Sequence, residues 1–400
     1  MENPNNDEKE QIPMRRHIVS YYVLVTAILL LAQVLNARFD VGIREQAANQ
    51  PRHYDGQPCY VTYEDSSQLQ HTTIVPTFDT PMPHGKNVIW CASFQMAWDR
   101  LAKNVLYGPV ELTNSPECAP RLNAGTIEHG DLPENGCLAM AGRCSDGIVV
   151  RICDEMQRRL HRQPKFNLTN PDNCLVAYAY LEASIPFTMP YLSNCAQLIF
   201  RDSRGTTADV NCFGTHHAEF LRQQLRKQFQ ILYIKRDDEQ QRHQYVIDPC
   251  RTSNPNQVVL ACVQPAPTFE ETWRQVQSLV SGFPAHLREP SIFDDLLVPE
   301  MAWDITHSFT ELQEKWLCNK GFDRLFIAQA LQAIRFRLDR NGADLRSEGF
   351  ASVVLSDEGG EALAFDRPFF IFVKKRDGKK PFFAMYVDNA ELLQKRKAEK

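Results

Sequence analysis

Leu363-Ala364-Phe365-Asp366-Arg367-Pro368-Phe369-Phe370-Ile371-Phe372-Val373 and Pro381-Phe382-Phe383-Ala384-Met385-Tyr386-Val387-Asp388-Asn389 are two aromatic-rich apolar runs on either side of Lys374-Lys375-Arg376-Asp377-Gly378-Lys379-Lys380. Runs of this composition around an Asp-Gly pair predict a β-hairpin, the pair supplying the positive φ angles of a tight turn. The basic residues between them read as a solvated hairpin tip.

Outward from that hairpin, the chain has 400 residues, 43% hydrophobic and 23% charged, enough for one large domain or two smaller ones. The formal charge of -5 carries no basic footprint of the kind a nucleic-acid partner needs. There is no internal repeat and no long low-complexity tract. Ile18 to Leu35 is an uncharged run of 18 residues, long enough to cross a bilayer core and longer than the apolar core of a cleaved signal peptide. Cleavage after Ala37 would place bulky Leu35 where a small residue is preferred, so an uncleaved anchor over 18–36 is favoured over a signal peptide. Arg15 and Arg16 before the run nearly balance Arg38 and Arg44 after it. The short tail 1–17 is the easier part to leave inside, which makes this a single-pass membrane protein with its C-terminal domain extracytoplasmic. Residues 37–81, rich in Gln, Asn, Pro and Thr, read as a stalk, 82–393 as the folded domain and 394–400 as a charged tail.

Twelve cysteines on an exported chain permit disulfides, and the group Cys118, Cys137, Cys144 and Cys153 is the expected place for one. No Cys-x-x-Cys pair occurs, and Cys212 with His216 and His217 stands alone, so neither a zinc site nor a cofactor is predicted. Asn167-Leu168-Thr169 is a formal glycosylation sequon.

The body divides into recognisable elements. Asn87 to Cys91 is a short apolar entry to a helix over Ala92 to Val105, with Phe94, Met96, Ala97, Leu101 and Val105 at helical spacing. Val149 to Gln163 is amphipathic, and Cys174 to Leu181 reads as a buried strand. Gln244 to Cys250 and Val258 to Val263 are strands around the turn Asn254-Pro255-Asn256. Thr268 and Glu271 form a capping box for a helix to Leu279. From Leu297-Val298-Pro299-Glu300 through Trp303-Asp304-Ile305 the chain leads to a helix expected near Phe309 to Trp316, and Ala330 to Leu338 alternates as a strand before the turn Asp339-Arg340-Asn341-Gly342.

Leu363 to Val373, with Phe365-Asp366-Arg367-Pro368-Phe369 at its centre, resembles the C-terminal signature of the serpins, and the order of elements over 82 to 392 is similar to theirs. The resemblance implies an α+β, serpin-like fold with a large central mixed β-sheet, helices and a buried C-terminal hairpin. It departs from the family where Cys91-Ala92 replaces the usual Ser-Pro and where the tryptophan expected after the strand 174–181 is missing. Gln332 occupies the position of a buried histidine typical of serpins, which implies a polar hydrogen-bonding role there.

The same resemblance makes the stretch after Leu338 a hinge and reactive loop, which a protease cleaves and whose upstream part then inserts as a further central strand, trapping the acylated protease. Insertion requires alternate residues that a core accepts. From Gly342 on, Ala343, Leu345, Ser347, Gly349, Ala351 and Val353 are small or apolar, whereas the other face carries Asp344, Arg346, Glu348, Phe350 and Ser352. The bulky Leu345 and the charged Arg346 and Glu348 depart from the short residues of inhibitory hinges and predict slow insertion. The loop from Gly342 to Phe365 is about as long as in inhibitory serpins, and the resemblance thereby implies a scissile bond near Leu355-Ser356. No Lys or Arg lies between Arg346 and Arg367, so the expected partner is a chymotrypsin-like, elastase-like or cysteine protease. Two other readings stand beside inhibition. One is a non-inhibitory serpin-fold binding module at the cell surface. The other is a papain-like enzyme using Cys91 at a helix N-terminus with His216, His217 or His243 and Asp248; the reading of Cys91 as a core residue makes the chain no enzyme.

Overall fold

A computed structural model describes residues 60–396 apart from 126, 135, 166–174, 195, 217–221, 236–243, 292–293, 323 and 345–361. The described residues belong to the compact unit Gly56–Lys400. The tail 1–17, the anchor 18–36, the sequon 167–169 and the hinge and cleavage residues from Leu345 to Ser356 lie outside the described residues. Among the described residues no helix is long and apolar enough to cross a membrane.

In chain order, β1 (Val61–Tyr63), β2 (Thr72–Ile74) and β3 (Asn87–Cys91) lead into α1 (Ala92–Leu101) and the short α2 (Cys118–Ala124). β4 (Cys137–Arg143), α3 (Ile148–Leu160), β5 (Leu175–Leu181) and β6 (Ser184–Pro186) follow. Then come β7 (Leu192–Ser193), β8 (Leu198–Arg201), β9 (Thr207–Val210), β10 (Cys212–Gly214) and α4 (Arg222–Gln228). β11 (Gln230–Lys235), β12 (Gln244–Asp248), β13 (Asn256–Cys262) and α5 (Phe269–Gly282) precede β14 (Asp295–Pro299) and β15 (Met301–Ser308). The chain closes with β16 (Leu331–Asp339), β17 (Gly342–Asp344), β18 (Ala362–Ala364), β19 (Phe369–Lys375) and β20 (Pro381–Val387).

Three larger sheets organise these strands. One has seven strands in the order β11-β12-β13-β19-β20-β3-β2, one has five in the order β1-β15-β16-β17-β6, and one has four in the order β18-β14-β10-β7. β1 runs parallel to β15, β2 to β3 and β18 to β14, and the other pairings are antiparallel, so the α+β class with mixed sheets agrees with expectation. The quoted hairpin is the middle of the seven-stranded sheet. Phe370 and Phe372 meet Phe269 of α5 at ring distances of 6.2 and 6.4 Å on one face. On the other, Phe383 stacks at 4.7 Å on Phe336 of β16 and lies 6.4 Å from Trp303 of β15. Both faces being covered explains why the two strands read as unbroken apolar runs instead of alternating.

Several expectations are corrected. The hairpin loop has no positive φ at Asp377 or Gly378. It is shaped instead by the buried Asp131, whose Oδ1 accepts from the backbone N–H of Lys379 and Lys380 at 2.6 and 3.1 Å. Nor is the basic run wholly solvated: Arg376 reaches Asp248 at 3.0 Å, and Lys374 Nζ donates to the carbonyls of Lys375 and Arg376. Residues 60–81 are not stalk, since β1 and β2 pair within the sheets and the buried Asn87 ties Thr72 to Asp388 and Asn389. Phe309 to Trp316 form turns, not a helix. Their backbone groups are taken by distant partners, Phe309 N by Ala330 O and Glu314 N by Ile327 O, and Glu314 has a φ of +59°. β5 is half-buried rather than fully buried, Tyr178 excepted, because it pairs with β4 alone. Of the four grouped cysteines Cys144 is disulfide-bonded, but to a cysteine outside the group, since Cys118, Cys137 and Cys153 are free thiols.

Other local rules hold. Thr268 caps α5 by accepting from Glu271 N at 3.1 Å, with Glu270 and Glu271 in the first turn, where acidic side chains suit the helix dipole.

Candidate functional site: a short strand beside the end of β16

β16 turns through Arg340 and Asn341 into β17, which lies antiparallel to β16 on one side and to β6 on the other. Ala343 faces Leu338 across one ladder and Ile185 across the other, and it is 2% exposed. Gly342 fits only as glycine. Its φ is +148°, and a Cβ there would stand 2.3 Å from the carbonyl oxygen of Ile185. The turn is fastened from outside, Phe187 N donating to Asn341 O at 2.8 Å and Tyr191 N to Arg340 O at 2.9 Å. Of the expected hinge residues the structure thus describes Gly342 and Ala343, and it places them between two strands.

Below this short strand the sheet is one-sided among the described residues. β15 pairs with β16 over Leu331 to Leu338, whereas β17 covers only Arg337 to Asp339 on the opposite edge. β5, which continues into β6, pairs with β4 and not with β16. Residues 331–336 therefore have a single strand neighbour among the described residues, and the inward side chains of that stretch, Gln332, Ile334 and Phe336, are 3%, 3% and 0% exposed.

Charge is concentrated at the mouth. The buried Arg337 pairs with Asp339 at 3.3 Å and Asp344 at 3.7 Å. Burial pushes the Asp344 carboxyl up to about 7, Arg337 pulling it back while Glu182 and Asp339 push it further. Burial also raises Asp339 and takes Glu300, which accepts from Ser193 Oγ at 2.9 Å, to about 7. On the outward face of β16, Arg335 pairs with Asp304 at 2.7 Å, and Asp304 also holds Lys165 at 2.6 Å. The alternation of Arg335, Arg337 and Asp339 is visible in the sequence, but the pairing of Arg337 with Asp344 follows only from the hairpin register.

Gln332 carries the polar role expected of it: its Nε2 donates to Cys91 O at 3.0 Å and Ser93 Oγ at 2.9 Å, fixing β16 to the start of α1. The papain-like constellation is not assembled from the described residues. Cys91 is buried, and burial pushes its thiol up, the opposite of an activated nucleophile. His216 Nδ1 lies 2.9 Å from Asp295, and Asp248 is held by Gln257 and Arg376. His217 and His243 are outside the described residues. Among the described residues no group of side chains could hold a metal ion.

The segment Phe365 to Phe369 carries the chain from the four-stranded to the seven-stranded sheet. Phe365, fully buried, packs edge-on against Tyr245 and beside Phe369, both at 5.1 Å. Arg367 Nε donates to Cys262 Sγ at 3.2 Å, and Arg201 N donates to Asp366 O at 2.7 Å. These contacts make the segment a structural joint.

No family model matches the chain, and no curated protein matches it. Among solved structures it is similar to thyroxine-binding globulin in complex with thyroxine, at 13% identity and a TM-score of 0.44 over 76% of this chain and 93% of that one. The native thermophilic serpin tengpin is 11% identical, with a TM-score of 0.43 over 77% and 90%. Human glycosylated kallistatin is 14% identical, with a TM-score of 0.40 over 76% and 92%. All three scores lie below 0.5, so the functional reading rests on the chain's own strands and residues.

Proposed function

We propose that this chain is a serpin-like protein that inhibits a protease through cleavage near Leu355-Ser356 and insertion of the segment after Gly342, and that residues 18–36 tether it to a membrane with the folded domain on the extracytoplasmic side. One observation carries the proposal: β17 is already paired on both sides, directly in line with the one-sided stretch 331–336. The observed register, Leu338 with Ala343 and Arg337 with Asp344, can be continued downward. It sets Leu345, Ser347 and Gly349 opposite the inward-facing Phe336, Ile334 and Gln332. The uncharged alternate residues would then meet the core, and ladder hydrogen bonds with apolar burial would drive insertion. The targets suited to Leu355 are the chymotrypsin-like, elastase-like and cysteine classes.

The same register favours a second reading. Arg346 would face Arg335, a like-charge pair directly across strands. Together with the pinning of Asp344 by Arg337, this slows insertion and suits a non-inhibitory binding module that is cleaved without trapping its protease. Incubation of the full chain with a chymotrypsin-like protease separates the two. A covalent band on a denaturing gel with a raised melting temperature is the expected outcome; cleavage with an unchanged melting temperature would sink the inhibitory reading.

A further inference from the structure

β17 sits among charged groups drawn from the elements around it. Arg337 and Asp339 face Asp344 from β16, Arg340 lies in the turn, Glu182 precedes β6, and Arg162 follows α3. Glu182 is itself engaged, accepting from Tyr180 Oη at 2.6 Å and lying 3.7 Å from Arg162. Glu300 extends the acidic set beyond Asp339. Docking the short strand therefore brings Asp344 against two further acids, with the guanidinium of Arg337 shared between Asp339 and Asp344.

We propose that docking of β17 between β6 and β16 is proton-linked through Asp344, so that the strand seats more firmly in acid and loosens as the medium approaches neutrality. The proposal rests on reading β17 as the hinge of a moving segment, and it adds a regulatory input to that site. An Asp carboxyl in open solvent titrates near 3.8, whereas in the docked strand it is pushed up to about 7. Between these two values the docked form holds a proton that the undocked form has released. Docking is therefore fully favoured below the lower value, weakens with rising pH by at most about tenfold per unit, and is level above the upper one.

Hydrogen exchange of the peptide spanning β17, measured on the full chain without protease and corrected for the intrinsic pH dependence of exchange, reads this directly. Wild-type protection is expected to fall by about tenfold or more between pH 5 and 7.5. Asp344→Asn, which keeps shape and removes the titration, should stay protected across the range, and Asp344→Glu should restore the step. Glu182→Gln gives an independent readout if the Asn variant folds poorly, because loss of a like charge should move the step to lower pH. A flat wild-type profile, an unchanged step in Asp344→Asn or an unmoved step in Glu182→Gln would overturn the proposal. None of these outcomes depends on whether a protease is trapped, so failure of the linkage and failure of the inhibitory reading appear in different assays.

Discussion

β19 and β16 are both interior strands of large sheets, yet they differ in what surrounds them. β19 has a partner along each edge, β13 and β20, and rings on both faces. β16 is also buried on its inward side, but among the described residues one of its edges is covered only at its top, by three residues. The first arrangement is filled on both edges, whereas in the second, among the described residues, the stretch 331–336 has one strand neighbour, which is the side where the proposed insertion would take place. Apolar packing encloses the hairpin on both faces, and under the proposed function the β16 edge is the part that changes.

The largest effect should come from breaking the enclosed half. Phe383→Ala removes a fully buried ring stacked between the two sheets and should cost about 3–5 kcal/mol in denaturant unfolding. A loss under about 1 kcal/mol would mean the sheets do not pack through that ring. Gly342→Ala strikes the half proposed to change. The intruding Cβ and the φ of +148° should displace β17, at about 1–3 kcal/mol and largely locally. The expected record is loss of exchange protection over β17 with that of β19 and β20 kept; equal loss in both would erase the distinction drawn between the two strands. Thr268→Ala is the smallest, about 1 kcal/mol from the cap of α5, which braces the hairpin face. It should lower the denaturation midpoint while leaving protection at β17 unchanged.

How much was legible follows from how local each signal is. The apolar runs of β19 and β20, the Thr268 cap, β12, β13 and the turn ahead of Gly342 are written in neighbouring residues, and they were readable. The Asp-Gly loop misled because Asp131, far away in sequence, shapes it. Phe309 to Trp316 misled because distant carbonyls claim its backbone. Residues 60–81 lack helical periodicity and have stalk-like composition, but two strands of three residues each find partners there. At the site, the alternation from Ala343 onward and the polar role of Gln332 were visible. The pairing of Arg337 with Asp344 and the perturbation of Asp344 and Glu300 were not, since both arise from register and burial.

By itself the sequence determined that β12, β13, β19 and β20 are strands, that Thr268 caps α5, and that the chain turns at Gly342. Those properties depend on side chains a few residues apart. Only the tertiary structure decided that β17 lies between β6 and β16, that among the described residues the edge below it has one neighbour, and that carboxylates converge there. The pairing of β17 with β6 joins segments far apart in the chain, and no local pattern encodes it.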